Sequence, residues 1–548
     1  MEQEIRKPFA KYENTQPEYA SGGGLDVIAA VATGGAVAAI GIVRMSGRGS
    51  VEIADMLFKA AGGEKLSYAK SGHMYYGKLF DAEGALIDMC LCFISRAPGS
   101  YTGEDTVEFH CHGSPVVLAE VLRSLFAGGA RQARAGEFTK RAFLNGRVDL
   151  TQAEAVIDII EAETAQAVRN AAGQLNGAIC IKLNKSYSSL LDLLAHFHAL
   201  IDYPDEDIDE FEIRDYIPVL KGVKEEVSHI LSSYSHGRVL RDGIPAVIIG
   251  RPNTGKSSLL NVLLGYERAI VTDIAGTTRD TVEEKVLIGG ILLRLIDTAG
   301  LRRTEDKIEQ LGVGRALDAL ENAMLAIVVF DGSQQLSDED YEVLDAIPAY
   351  VKKLIVVNKA DLPSALDSEQ IEQLTRYAAQ QNQQKNLQQT MRHETKQEIR
   401  QNRQQRTQDD LQKVISQETQ NELQKDIDRK AQQDRLQVLE NTENAVYCQV
   451  CALSGEGIDK IATGVTRLFP EHGTPPTGDI LTNERQEEAL RRAKNSLSFA
   501  TDAIEEGVTP DAVLTEIEAA LIAIGEVTGK TVRDDVISRI FDRFCVGK

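Results

Sequence analysis

The pattern of apolar and polar positions changes character several times along the 548 residues. Residues 1–24 are polar, carry Pro8 and Pro17, and end in Gly22-Gly23-Gly24. So little apolar surface cannot offset the entropy of ordering, and a disordered leader is expected. From Asp26 the pattern shortens: Asp26–Ala32 and Ala39–Gly47 read as strands around a small-residue turn, Val51–Ala61 as a helix, and Met74–Phe80 and Leu86–Phe93 as further strands. This α+β region reaches about residue 141. From Leu150 the period is helical, with one apolar side through Ala153–Ile160, Leu190–Leu194 and Val227–Leu231. Tyr203–Asp207 reads as an acidic, solvated connection between helices. The runs Ile244–Ile249, Ile291–Ile296 and Leu354–Val357 read as buried strands. From Asn483 to Phe544 the pattern is again amphipathic helix.

The expected fold is multidomain α/β. It comprises an α+β N-terminal domain at 25–141, a helical domain at 142–241 plus 471–548, and a P-loop domain of mostly parallel sheet at 242–470, inserted in the helical one. Pro470, Pro475 and Pro476 mark the exit from the insert. One stretch, about 377–444, breaks the pattern. It is rich in Gln, Asn, Lys, Arg and Glu, as in Gln380–Gln384 and Gln401–Arg406. A disordered segment or an exposed helical arm both fit it, and it carries no recognisable chemistry.

Composition narrows the class. Hydrophobic content of 43% fits a soluble protein, and no apolar run is long enough to span a bilayer. The start of the chain lacks a signal-peptide apolar core. Seven scattered cysteines fit a reducing cytoplasm rather than a disulfide scaffold. A formal net charge of −22 excludes bulk attraction to nucleic acid, so an RNA contact needs a local basic patch or a basic partner.

The apolar runs of the inserted domain lead into chemistry. Gly250–Ser257 fits G-x-x-x-x-G-K-[ST], a phosphate-binding loop between a strand and a helix start. Its N–H groups would curl around phosphate oxygens, with Asn253, Thr254, Gly255 and Ser258 lining the loop. Lys256 would reach the β- and γ-phosphates, and Ser257 would ligate Mg²⁺. Asp297-Thr298-Ala299-Gly300 is a D-x-x-G pattern for Mg²⁺ water and γ-phosphate. Asn358-Lys359-Ala360-Asp361 supplies a carboxylate able to accept from both N1–H and N2–H of guanine, a donor pair that adenine lacks. Cys451-Ala452-Leu453 falls where a guanine-side loop belongs. Thr272-Asp273-Ile274-Ala275-Gly276-Thr277-Thr278 reads as the other switch, with Thr278 as second Mg²⁺ ligand. Ras-like proteins place a water-orienting Gln after D-x-x-G; Leu301 stands there instead. Two other groupings point to no metal. His110 and His112 share one strand face with Cys111 on the other, with no second cluster at ligand spacing. Cys448-x-x-Cys451 reads as two semi-buried thiols.

Together these motifs resemble the MnmE (TrmE) family of tRNA-modifying GTPases, from about residue 26 to 548 apart from the Gln-rich insertion. The resemblance rests on the P-loop together with Ala39–Gly47, Ser100–Asp105, Gly136–Gly146 and the tail Phe544-Cys545-Val546-Gly547-Lys548. It implies a cytoplasmic homodimer that works with the flavoprotein MnmG on carbon 5 of the wobble uridine of certain tRNAs. A reduced folate (5,10-methylene- or 5-formyl-tetrahydrofolate) would donate one carbon, and GTP hydrolysis would open and close the paired GTP-binding domains. By position, Arg44, Glu108, Arg147 and Lys548 would hold folate, Cys545 would be a reactive thiol, and Glu309 would act through the hydrolytic water. A K⁺ ion would sit among oxygens of Asn253, Thr272, Ile274 and Thr277. The chain departs from the family pattern in three places. Ala32–Ala38 lacks the usual Pro and Arg, Gln486 replaces a His, and Cys451 replaces a Ser. From the P-loop domain alone, a GTP-driven assembly factor of the ribosome-maturation type is the alternative function.

Overall fold

The computed structural model describes residues 26–34, 36–202, 213–266, 284–296, 319–379, 445–470, 478–532, 534–542 and 544–547. The leader, the acidic connection, Pro475, Pro476 and the Gln-rich segment from residue 380 lie outside these residues. The chain forms two compact units. One comprises residues up to 161, 170–233 and 483 onward; the other comprises 162–169 and 234–482.

The first unit begins with a seven-stranded sheet in the order β3-β4-β5-β6-β2-β1-β7. The strands are β1 (Ile28–Val31), β2 (Ala38–Ser46), β3 (Phe58–Ala60), β4 (His73–Phe80), β5 (Leu86–Ser95), β6 (Thr106–Gly113) and β7 (Arg131–Gln132). All pair antiparallel except β1 with β7. Alternation along β6 sorts the faces: Val107, Phe109 and Cys111 enter a core shared with the helices Ser50–Leu57 and Pro115–Ala127. Glu108, His110 and His112 point the other way, opposite Arg44, Ile42 and Ile40 of β2. The helix expected over Val51–Ala61 stops at Leu57. Phe58 starts β3 instead, pairing with Leu79 while its ring packs 6.0 Å from that of Phe109. Cross-strand pairing has overridden helix propensity there.

The same unit holds the helices Leu150–Glu161, Ala178–Asp202, Ile217–Ser232, Glu484–Glu505, Pro510–Thr528 and Asp534–Phe541. Those near the C-terminus pack against those before the insert, so the two helical stretches share one core. Leu150 and Ala153 cluster with Ile537, Ile540, Phe541 and Phe544. Glu154 accepts both forks of Arg485 at 2.9 and 2.8 Å, and the departing residue Gln486 donates to the same carboxylate at 2.6 Å.

The second unit is built on a six-stranded sheet, β13-β12-β11-β8-β10-β9. Its strands are β8 (Ile244–Ile249), β9 (Glu284–Ile288), β10 (Ile291–Leu295), β11 (Leu325–Asp331), β12 (Lys352–Asn358) and β13 (Ala445–Gln449). Only β9 runs antiparallel to its neighbour. The parallel strands are continuous apolar runs because both faces are covered: Ile244, Ala246 and Ile248 enter one core, Val247 and Ile249 the other. Lys353, fully buried in β12, donates to Ala378 O at 3.2 Å and lies opposite Ala445 in register. A helix over residues 368–379 carries Ala378. Tyr377 packs edge-on against Tyr341, so the expected insertion is still ordered helix at its first three residues. Among the described residues no helix is long and apolar enough to cross a membrane.

Candidate functional site

The strand β8 ends where the phosphate-binding sequence begins, and Lys256 opens the helix Lys256–Tyr266. Parallel strands deliver their C-terminal ends to one edge, where ligands of α/β sheets bind. Two non-glycine residues take positive φ among the described residues, Asn253 at 63° and Lys359 at 64°. They sit in the phosphate loop and the base loop, and strain of this kind gathers at functional sites. Gly255, at φ 95°, could carry no side chain. A Cβ there would lie 2.1 Å from Asn358 Nδ2.

That close approach exists because Asn358 joins the two loops. Its Nδ2 donates to Thr254 O at 2.8 Å, and its Oδ1 accepts from Ala452 N at 2.9 Å. One buried amide therefore ties the phosphate loop, the base motif and the third loop together. Asp361 lies on the same edge, and Cys451 Sγ donates to its Oδ1 at 3.1 Å. The substituted cysteine thus supports the carboxylate expected to read guanine. Lys359 Nζ reaches Asp331 Oδ2 at 2.6 Å, and Ala360 N donates to Val450 O at 3.1 Å. Burial raises the Asp331 pKa, but Lys359 and Ser333 outweigh it and hold the carboxyl below its ordinary value. Lys256 Nζ donates to Arg251 O at 2.6 Å. Leu453 is exposed, and Ser257 and Ser258 follow Lys256 in the first turn of its helix.

Asn253, Thr254, Gly255, Lys256, Asn358, Lys359, Ala360, Asp361, Cys451 and Ala452 are therefore gathered at one edge of the sheet. Thr272–Thr278, Asp297–Gly300, Leu301 and Glu309 lie outside the described residues. The donors present fit a polyphosphate with Mg²⁺: a lysine, a hydroxyl at Ser257, and glycine backbone that approaches closely. Asp331 and Arg251 were not singled out from sequence. Asp331 had a readable signal, as an acid closing the apolar run Leu325–Phe330.

In the first unit, Arg44 Nε meets Glu108 Oε1 at 2.6 Å, and Glu108 Oε2 lies 3.3 Å from His110 Nε2. The Arg44 guanidinium stands 5.8 Å from the Phe138 ring centre. His112 instead pairs with Asp88 at 2.8 Å, so the two histidines serve separate carboxylates. Arg147 N donates to Ala142 O, and its side-chain stem lies beside Gly103. Residues of Ala39–Gly47, Ser100–Asp105 and Gly136–Gly146 meet in an ion-pair cluster. Buried Arg141 contacts Asp26 at 2.9 Å, Glu104 at 2.9 Å and Glu137 at 3.2 Å, and Ser46 donates to Glu104 at 2.7 Å. The chain's tail closes on this region. Val546 bridges Ala135, and Cys545 O accepts from Gly136 N at 3.4 Å. Gly547, at φ 100°, fits so tightly that a Cβ would lie 2.1 Å from Val31 O. Val31 follows Ala30, the register partner of Arg44. Cys545 is the one exposed cysteine among the seven; Lys548 lies outside the described residues.

Comparison with known proteins covers almost the whole chain. The family model described as the MnmE helical domain matches residues 150–545, and that of the GTP-binding protein TrmE N-terminus matches 27–147. The tRNA modification GTPase MnmE of Thermoanaerobacter pseudethanolicus (strain ATCC 33223 / 39E) is 38% identical over 95% of this chain and 99% of its own. Its namesakes from Symbiobacterium thermophilum and Bacillus velezensis are 36% and 35% identical, each over 96% of this chain and 100% of theirs.

Proposed function

The chain belongs to the MnmE family of tRNA modification GTPases, and from that premise we propose that it is itself a GTP hydrolase acting in tRNA modification. The observation that carries this reading is the Asn358 amide, which ties Thr254 of the phosphate loop to Ala452 beside the base. Both ends of a guanine nucleotide then meet one preorganised frame. Asp361, supported by Cys451, supplies the acceptor for guanine's two donors. The purified protein is expected to bind GTP and GDP far more tightly than ATP. Asp361→Asn should weaken guanine binding and admit xanthine nucleotides, whose added carbonyl accepts from an amide. Equal affinity of the parent protein for ATP and GTP would overturn the reading.

The finer assignment follows the family. The target is carbon 5 of the wobble uridine in certain tRNAs, the partner is the flavoprotein MnmG, and the one-carbon donor is a reduced folate. Arg44, Glu108 and Arg147, with Lys548, would hold the folate: a carboxylate suits the donor edge of a pterin, and guanidinium groups suit its acidic tail. Docking of the tail against Val31 supports a role for Cys545 beside that site. Two copies would pair through the sheet face that carries Arg44. That face exposes Ile40, Met74, Tyr76, Met89 and Leu91, an apolar patch of the kind that marks an interaction surface. Mg²⁺ would be held by Ser257 and Thr278, and K⁺ by Asn253, Thr272, Ile274 and Thr277, with Glu309 orienting the attacking water. Calorimetry with a reduced folate tests the donor. Arg44→Ala should weaken folate binding and leave GTP hydrolysis nearly intact, and a full-length protein that binds no folate would refute the assignment.

A further inference from the structure

Arg251, the second residue of the phosphate loop, is held at both of its ends. Its guanidinium is gripped by the start of the helix Asp338–Asp345. Nη1 donates to Ser337 Oγ at 2.8 Å and Asp340 Oδ2 at 3.0 Å, and Nε lies 2.9 Å from Glu339 Oε2. This anchor is itself well fixed. Ser337 and Asp340 form a capping box, with Ser337 N donating to Asp340 Oδ2 at 2.9 Å, and Asp340 is buried. At the backbone end, Arg251 O accepts from Lys256 Nζ at 2.6 Å and from Thr254 Oγ1 at 3.0 Å. The residue that aims the phosphate-reading ammonium is thus fastened, by its own side chain, to an element 86 residues further along the chain.

We infer that Arg251 is a positioning residue for Lys256, and that Asp340 and Ser337 set the affinity of the loop for nucleoside di- and triphosphates. The physical case is one of preorganisation. A lysine ammonium is a point charge on a flexible stem, and its rotamer freedom must be lost when phosphate binds. A fixed carbonyl beside it removes part of that loss beforehand. The carbonyl is fixed only while the Arg251 peptide is, and the peptide's neighbour Asn253 sits at φ 63°, a conformation that surrounding contacts must maintain. Asn358 braces the far side of the loop through Thr254 O at 2.8 Å, and Arg251 braces the near side. Both hydrogen bonds come from the single Nη1, and Nε approaches Glu339, so lysine at 251 keeps the charge but must meet all three groups with one ammonium.

The inference rests on the GTPase reading, and the measurements separate the two. GDP and GMP affinities of the full-length protein are compared by calorimetry and competition, with steady-state GTP hydrolysis alongside. If the parent protein binds no GDP, the GTPase reading fails. If it does, Arg251→Ala should weaken GDP binding and raise the GTP KM about tenfold, equal to about 1.4 kcal/mol. GMP binding and kcat should each stay within about twofold, because base contacts and the bound-state chemistry are retained. Asp340→Asn, which can still cap the helix, should act in the same direction, and Arg251→Lys should recover part of the loss. The double variant Arg251→Ala, Asp340→Asn should be no worse than the stronger single, as expected of two partners in one interaction. Unchanged GDP affinity in Arg251→Ala would overturn the inference. So would a parallel loss for GDP and GMP with a lowered melting temperature, which would mark Arg251 as a folding contact alone.

Discussion

Glu137 sits in a crowd of basic groups: its carboxylate takes Arg131 Nη2 at 2.5 Å, Arg141 Nη2 at 3.2 Å and the Arg134 N–H at 2.8 Å. Burial raises its pKa, yet the Arg131 hydrogen bond and the backbone N–H of Arg134 outweigh burial and bring it to about 2, from 4.5. Asp26, in the same cluster, shifts the same way: burial raises it, and Arg131 and Arg141 lower it further. Both groups hold fewer protons folded than unfolded. The stability they contribute is therefore complete above about pH 4.5 and is lost as the pH falls toward about 2. The melting temperature of the parent should drop steeply over that interval, and Glu137→Gln, already less stable near neutrality, should drop less. Parallel curves for the two proteins would rule this out. Residue contacts of this kind were poorly legible in the sequence. Arg141 and Glu137 belong to a recognisable stretch, but Asp26, 115 positions from Arg141, carries no local signal. Arg251 and Asp340 are equally far beyond any periodicity.

Single elements were more legible, and for a clear reason. A parallel strand covered on both faces is mostly apolar, so the runs within β8, β10 and β12 stand out despite Arg294 and Lys353, and the loops that follow them read as chemistry. The expected helix over Val51–Ala61 runs four residues beyond Leu57 because the pairing of Phe58 with Leu79, 21 residues on, leaves no local signal. The phosphate loop is the element with most at stake. Asn253 holds the left-handed backbone in its centre, and its side chain offers the oxygen proposed for K⁺. A monovalent cation at the β–γ bridge would replace an arginine finger, a part worth ~10³–10⁵-fold in rate. Hydrolysis is expected to run faster in KCl than in NaCl at equal ionic strength. Asn253→Ala should erase the difference while GDP still binds. Equal rates in the two salts for the parent protein would leave Asn253 as a backbone brace only.

At the scale of the whole chain, the Gln-rich segment leaves after Ala379 and returns at Ala445, and one residue, Lys353, touches both sides of the gap. The ends of the excursion are therefore held together by the sheet itself. Closure entropy grows slowly with loop length, so a long excursion from such fixed ends costs little more than a short one. Deleting residues 380–440 and joining the gap with a short linker is expected to keep GTP hydrolysis within a few-fold of the parent; a deletion that fails to fold would show that the segment packs. Composition and period change along the chain near residues 142, 242 and 471. The closure of the first unit carries no such signal, since it joins residues from opposite ends of the chain. The tail around Gly547 rests on Val31, which puts a schedule on assembly. In a cell, Val31 leaves the ribosome 516 residues ahead of Gly547; at ~5–20 residues per second, roughly half a minute to two minutes separate them. During that interval the end of β1 near Val31 and the hollow beside Gly136 wait uncovered, so a chain interrupted within the helix Asp534–Phe541 would keep β1 open at Val31.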